Sequence, residues 1–187
     1  MLVPAAAIVK IRYFTARVHD RPDDPGQAQG QATYLRALQT IAHLSLHEGR
    51  FLSTQVRMAL VAPPPGGPRT VLVQKTEVKG SDGNLATYLL VDGFRNEYDT
   101  AFVISNDTDL REPIAFARLD LGRPVTVLNP RERYSNVMAA CATSYRRISL
   151  AAFAAAQFPV TVTDGKGDIH RPLRWAGRSQ AVPPRLR

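Results

Sequence analysis

Apolar and polar side chains alternate through residues 8–18 (IVKIRYFTARV), a β-branched and aromatic run. This predicts a strand with Ile11, Tyr13 and Thr15 on one face and Arg12, Phe14 and Ala16 on the other. After the loop HDRPDDPGQ, Tyr34, Leu35, Leu38 and Ile41 recur at helical spacing and predict a helix over 28–42, and LSLHEG then reads as a short strand. PPPGGP at 63–68 is expected to be an exposed loop, because proline lacks an amide donor and glycine lacks restraint. TVLVQKTE at 70–77 predicts a strand and KGSDGN a turn, after which Leu85, Tyr88, Leu89 and Phe94 keep the period of a helix that begins near Asp82. TAFVI at 100–104 is too apolar for a sheet with one wet face and predicts a strand covered on both sides. The loop SNDTDL follows, then a helix over 109–119, a buried strand VTVL at 125–128 and a helix near 149–157. No internal repeat appears.

Strands alternating with helices predict an α/β fold whose mainly parallel sheet is covered on both faces. Sites in such sheets lie outside the carboxyl ends of strands. The loops 77–84 and 105–109 both follow strands, so Asp82, Asp107 and Asp109 are expected to meet at one edge. Hard divalent cations prefer oxygen ligands, and magnesium takes one or two carboxylates while keeping water and substrate phosphate. Asp107 and Asp109 can share a side while Thr108 points away, with Ser105 placed to orient the metal's waters. Carboxylates repel one another when no cation is present, and a bound metal would activate water against a phosphodiester. Lys75, Lys79 and Arg17 are candidate phosphate holders. The competing reading is that aspartates at helix starts are caps, and Glu112, three residues after Asp109, resembles a capping box. For any one of these residues capping is favoured; three of them at strand ends favour a site.

Composition narrows the classes. The chain has 187 residues, 44% hydrophobic and 21% charged, which suits one folded domain rather than a disordered or membrane-spanning chain. The apolar opening MLVPAAAIV is too short for a span or a secretory core, and the single cysteine, Cys141, fits a reducing compartment, so a cytoplasmic location is expected. The net charge of +8, carried mostly by arginine, makes nucleic acid the leading partner, with a solvated basic surface as the bland alternative. His19, His43, His47 and His170 lack zinc-ligand spacing; Ser81 and Ser105 lack a nucleophile elbow, and PPPGGP lacks the lysine and hydroxyl of a phosphate loop. Cys141 is expected to be buried and inert, Asp92 solvated and Glu77 exposed. Trp175 with Arg171, Arg174 and Arg178 suits either stacking on single-stranded RNA or packing onto the domain.

The stretch KTEVKGSDGNLATYLLVDGFRNEYDTAFVISNDTDLREPI closely resembles the NYN-domain proteins, a branch of the PIN-like nuclease superfamily. The pattern of a Lys-Gly-x-Asp turn, a helix carrying Leu-Ala and a further Asp, and an apolar strand ending in Ser-x-Asp-x-Asp falls on Lys79, Gly80, Asp82, Leu85, Ala86, Asp92, Ser105, Asp107 and Asp109. IRYFTARV, TYLRALQT and QFPVTVTDGKGDIHRPLRW also look like this family, so the resemblance covers almost the whole chain. It implies a three-layer α/β/α fold over residues 1–160, a basic Pro- and Arg-rich tail over 161–187, and RNA cleavage dependent on Mg²⁺ or Mn²⁺, with Asp82, Asp107 and Asp109 as metal-binding acids. A homo-oligomer is compatible with it. The family pattern begins with a central strand that donates a first acid, for which this chain has no counterpart; a gap in the sheet is expected there, with unpaired edges.

Overall fold

A computed structural model of the chain describes residues 8–21 and 24–176. The elements run β1 (Ile11–Ala16), α1 (Gln27–Leu38), β2 (Leu44–Ala59), β3 (Thr70–Lys79), α2 (Ser81–Phe94), β4 (Ala101–Ile104), a 3-10 turn (Thr108–Leu110), α3 (Arg111–Leu119), β5 (Val125–Asn129), α4 (Asn136–Cys141), β6 (Ser144–Arg147), α5 (Leu150–Ala155), β7 (Thr161–Asp164), β8 (Gly167–His170) and α6 (Leu173–Ala176). The fold is mixed α/β. No helix among the described residues is long and apolar enough to cross a membrane.

The strands do not form the one mainly parallel sheet that the alternation predicts. They form a sheet β1-β2-β3, a sheet β4-β5-β6 and a hairpin β7-β8. The second sheet is parallel throughout, while the first pairs β1 with β2 in parallel and β2 with β3 antiparallel. β1 and β4 each end a sheet, with no strand beyond them among the described residues. At the end of β1 a side chain takes the place of a neighbouring strand: the amide of Gln31 donates to the Ala16 carbonyl at 2.8 Å and accepts from the Val18 N–H at 2.9 Å. A buried backbone group without a partner is costly, and this amide satisfies two.

One core joins β4, β5 and the helices around them. Val125, Val127, Ile114, Ala117 and Met138 are fully buried with Leu110, and Leu89 of α2 packs into the same cluster. The apolar run at 125–128 is covered as expected, whereas in the run at 100–104 only Val103 is buried and Ile104 is 63% exposed. Cys141 belongs to the same core, and burial pushes its thiol pKa up, as expected of an inert cysteine.

Four differences from the sequence reading have physical causes. LSLHEG is only the start of a 16-residue strand, because Arg50 through Ala59 pair with Thr70 through Lys79 to extend a hairpin across the PPPGGP turn. α4 and β6, and the hairpin β7-β8, lie in segments too short or too polar to show a period. The hairpin falls within the stretch assigned to the tail, yet it is docked on α1: Arg36 donates to both oxygens of Asp164, at 2.7 and 2.6 Å, and to the Gly167 carbonyl. That fork holds the Asp164 carboxyl down to about 2. Residues 177–187, with Arg178 and the remainder of the tail, lie outside the described residues. Finally, Asp92 is not solvated but 6% exposed, gripped by a neighbouring strand.

Candidate acidic site at the start of α2

Asp82 is placed by a backbone device. β3 ends at Lys79, Gly80 turns left-handed at φ 92°, and α2 begins one residue later, which puts Asp82 in its first turn. L-residues resist such a φ. Gly49 of β2 lies against this turn, where a Cβ would stand 2.5 Å from the Lys79 carbonyl and 3.1 Å from Ser81 Oγ. Two glycines thus allow the turn and its close approach to β2. Gly80→Ala is expected to cost about 1–2 kcal/mol from the left-handed φ alone, read as a fall of about 2–8 °C in the melting temperature. A melt within one degree of wild type would refute this.

Asp107 and Asp109 follow β4. Asp107 Oδ1 accepts from the Asp109 N–H at 3.0 Å, capping the 3-10 turn, and Ser105 Oγ accepts from the Asp107 N–H at 3.1 Å. The loop is tied down by Asn106, whose Oδ1 accepts from the Tyr145 hydroxyl at 2.9 Å and whose amide donates to the Arg133 carbonyl at 3.2 Å. Fully buried Asn129 donates to the same carbonyl at 2.9 Å and accepts from the Arg131 N–H. Neither asparagine nor Tyr145 stands out in the sequence, because their use depends on a chain crossing that no local spacing reveals.

The acids do come into one electrostatic neighbourhood. Burial pushes the Asp82 carboxyl up, and the charges of Asp107 and Asp109 push it further, with no basic group among the causes to offset them. Asp82 and Asp109 also line one groove between α2 and α3, ≈ 680 Å³ in volume, with Leu90, Leu110, Phe116 and Leu119 as its apolar floor. Among the described residues, no three His, Cys, Asp or Glu side chains stand close enough together to form a ready-made metal cage. The capping reading holds for Asp107 alone: α2 is preceded by Gly80 and α3 by Leu110, neither with a side-chain cap, and Glu112 pairs with Arg111 on the surface rather than closing a capping box.

The three cations expected to hold phosphate are each paired with a glutamate. Lys75 and Lys79 both reach Glu77, at 2.7 and 3.2 Å, and Arg17 donates twice to Glu48 Oε1, at 2.9 and 2.6 Å. None of them bridges to Asp82, Asp107 or Asp109 among the described residues. Trp175 packs edge-to-face on Tyr34 with ring centres 6.5 Å apart, the packing alternative of the two expected for it.

A second polar cluster lies further along α2. Arg12 of β1 forks onto Asp92, Nε to Oδ2 at 2.7 Å and Nη2 to Oδ1 at 2.8 Å, and its third nitrogen reaches His47 Nε2 at 3.0 Å. The guanidinium lies 4.1 Å from the centre of the Tyr88 ring, and His47 stacks on Phe14. Burial drives the Asp92 carboxyl up, but the Arg12 hydrogen bonds and charge, with that of Lys10, bring it below the ordinary range. Burial drives the His47 imidazole down, and Arg12 drives it further down. Because Arg12 donates to Nε2, His47 is an acceptor there and is neutral. A histidine with a depressed folded pKa loses stability on acidification: the effect is absent well above 6.5 and grows as pH falls from 6.5 through the folded value. The melting temperature is therefore expected to fall below pH 6.5 more steeply in wild type than in His47→Gln; parallel curves would remove His47 from the account.

No family model matches the chain. The chain is 27% identical over 185 residues to 6-hydroxy-3-succinoylpyridine 3-monooxygenase HspA of Pseudomonas putida, an alignment covering 92% of the chain and 59% of that enzyme. The chain thus spans under two thirds of the length of this relative. Among solved structures it is similar to a protein of unknown function from Vibrio parahaemolyticus, with a TM-score of 0.48 and 13% identity, covering 75% of the chain and 69% of that protein.

Proposed function

We propose that the chain is a metal-dependent ribonuclease of the NYN, PIN-like type, with the three-layer α/β/α plan of that family. The observation that carries this is geometric: Asp82 and Asp109, from the ends of different strands, line one groove, where burial and then the charges of Asp107 and Asp109 push the Asp82 carboxyl up. Such an arrangement is what a cation relieves. Mg²⁺ or Mn²⁺ would be held by Asp82 and Asp109 across the groove with Asp107 beside them; magnesium asks for only one or two carboxylates, so no ready-made cage is required. The ion would supply Lewis acidity and an activated water for phosphodiester hydrolysis. Ser105 fixes the backbone of Asp107. Lys79, three residues before Asp82, would leave Glu77 for an RNA phosphate, with Lys75 further out along β3 and Arg17 just past the end of β1. A cytoplasmic location suits this reading.

The test is cleavage of a fluorescent RNA by the purified chain with manganese, against the same reaction in excess chelator. Cleavage that chelator abolishes is expected. RNA left intact by the manganese-loaded chain, yet bound in a salt-sensitive way that survives chelator and Asp107→Asn, would replace the nuclease by an inactive RNA-binding module of the same fold.

A second reading rests on the similarity to HspA, which is named for an action on a hydroxylated pyridine. An aromatic cleft of ≈ 420 Å³ lined by Tyr34, Trp175 and Arg174, with the buried Gln27 Oε1 lacking a partner among the described residues, would take a flat heterocycle. Consumption of 6-hydroxy-3-succinoylpyridine by the chain with oxygen and a reduced nicotinamide, and no RNA cleavage, would favour this reading.

A further inference from the structure

β2 pairs with two different neighbours along its length. Residues 44–49 lie beside β1, and from Arg50 to Ala59 the strand pairs only with β3. The distal part is a two-stranded ribbon of ten residue pairs, about 34 Å long. A lone two-stranded hairpin is marginal in water unless something packs on it.

One face of the ribbon has a distinct pattern. Val56 opposes Val73 and Met58 opposes Val71, and the Leu60 N–H bonds the Arg69 carbonyl, which continues the register by one more residue on the same face. Met58 is 50% exposed and Val71 43%. This apolar strip has Arg69 at one end and Lys75, bridged to Glu77 on the same face, at the other, while the opposite face mixes Ser53, Thr76, Gln55 and Gln74 with Phe51, Leu72 and Val78. Contiguous exposed apolar surface with a polar rim marks an interaction site.

The groove between α2 and α3 has the complementary pattern. Its apolar floor includes Phe116, 39% exposed, and Leu119, 67% exposed; Asp82, Asp109 and Glu112 stand at one end and Asp120 at the other. No residue of the ribbon lines it. From Asp109 to Asp120 along α3 is about 16 Å at 1.5 Å per residue, against about 20 Å from Lys75 to Arg69 along the ribbon. An apolar strip with cations at both ends thus meets an apolar groove with carboxylates at both ends, at matching length.

We infer that the distal face of the β2-β3 ribbon docks in the α2-α3 groove of a second copy of this chain, and that reciprocal insertion closes a two-fold dimer. Each copy has one ribbon and one groove, so an exchange satisfies both and leaves no open end. Charge of opposite sign fixes the direction in which the ribbon lies. The ribbon would cover the groove that Asp82 and Asp109 line, so the docked dimer and RNA cleavage in that groove exclude one another.

Sedimentation of the full chain at micromolar concentration is expected to show a dimer near twice 20.6 kDa. Met58→Glu is expected to shift it to monomer with an unchanged circular dichroism spectrum, since the residue is exposed, and Asp120→Lys to weaken it from the other side. A mixture of Met58→Cys and Leu119→Cys chains should form a disulfide-linked pair on oxidation, and Met58→Cys alone should not. A monomeric wild type, or a dimer indifferent to Met58→Glu, overturns the proposal. So does an unchanged dimer whose Met58→Glu variant loses retention on labelled RNA, which would make the ribbon a nucleic-acid arm.

Discussion

Arg12→Ala is expected to lower the melting temperature by about 6–12 °C, the largest stability effect of any single substitution considered. Asp92 is 8% exposed at its side chain and Arg12 19%, so deleting the guanidinium leaves a buried carboxylate with no hydrogen-bonded cation and only Lys10, 3.8 Å away, as counter-charge. Breaking a buried pair from one side costs about 3 kcal/mol or more, most of it the desolvation of the charge left behind. At about 2–4 °C per kcal/mol for a chain of this size, the shift follows. Arg12 also donates to His47 and covers Tyr88, so the same change leaves Ser45 Oγ, at 2.9 Å, as the remaining partner of His47 Nε2 and uncovers one face of the Tyr88 ring. Asp92→Ala should cost a similar amount. The double substitution Arg12→Met with Asp92→Leu should recover much of the loss, because removing both charges removes the penalty. Thermal melts of the four proteins decide the matter, and a shift under 2 °C for either single variant would show that the pair is solvated in solution.

Under the proposed nuclease function, Asp109→Asn is expected to reduce manganese-dependent RNA cleavage by about 100-fold or more, since a ligand carboxylate would supply several kcal/mol of metal and transition-state stabilisation and each 1.36 kcal/mol is tenfold. Asp107→Asn separates the two readings of that residue most cleanly. Asparagine caps a helix as well as aspartate does, so the bond from the Asp109 N–H survives while the charge is lost. Activity should fall and stability should not. Asp82→Asn carries an opposite sign in the two measurements. A carboxyl whose folded pKa is raised above 3.8 disfavours the folded state as pH rises from 3.8 through the folded value, so the metal-free variant should melt no lower than wild type at neutral pH. Manganese should raise the wild-type melting temperature by mass action and leave Asp82→Asn unmoved. Equal activity in all three variants would reduce the acids to surface charge.

The strands and helices carrying long apolar patterns were legible in the sequence: α1, α2, α3, β1, β4 and β5 fall within a few residues of where periodicity places them. Sheet organisation was not, because periodicity reports which face of a strand is buried and nothing about the neighbour on its edge. Residues 50–59 could not be read as a strand at all, since exposure on both faces leaves their polar and apolar positions without a consistent alternation. At the site, the residue types and their order along the chain placed Asp82, Asp107 and Asp109 in one neighbourhood, while Arg17 meets Glu48 only through cross-strand register and Lys75 and Lys79 meet Glu77 because alternate residues of β3 share a face. Asp92 was misread for a related reason. A lone aspartate on a helix is usually wet, and only the approach of β1 from 80 residues away supplies the arginine that lets it be buried.

The turn that carries Asp82 has a mechanical consequence. β3 runs without a break from the exposed ribbon into Gly80, and Gly49 of β2 rests against that turn at close range. The base of the ribbon and the first turn of α2 are thus joined through a single residue, Gly80, so the position of Asp82 is tied to the path of β3 as well as to the helix that carries it.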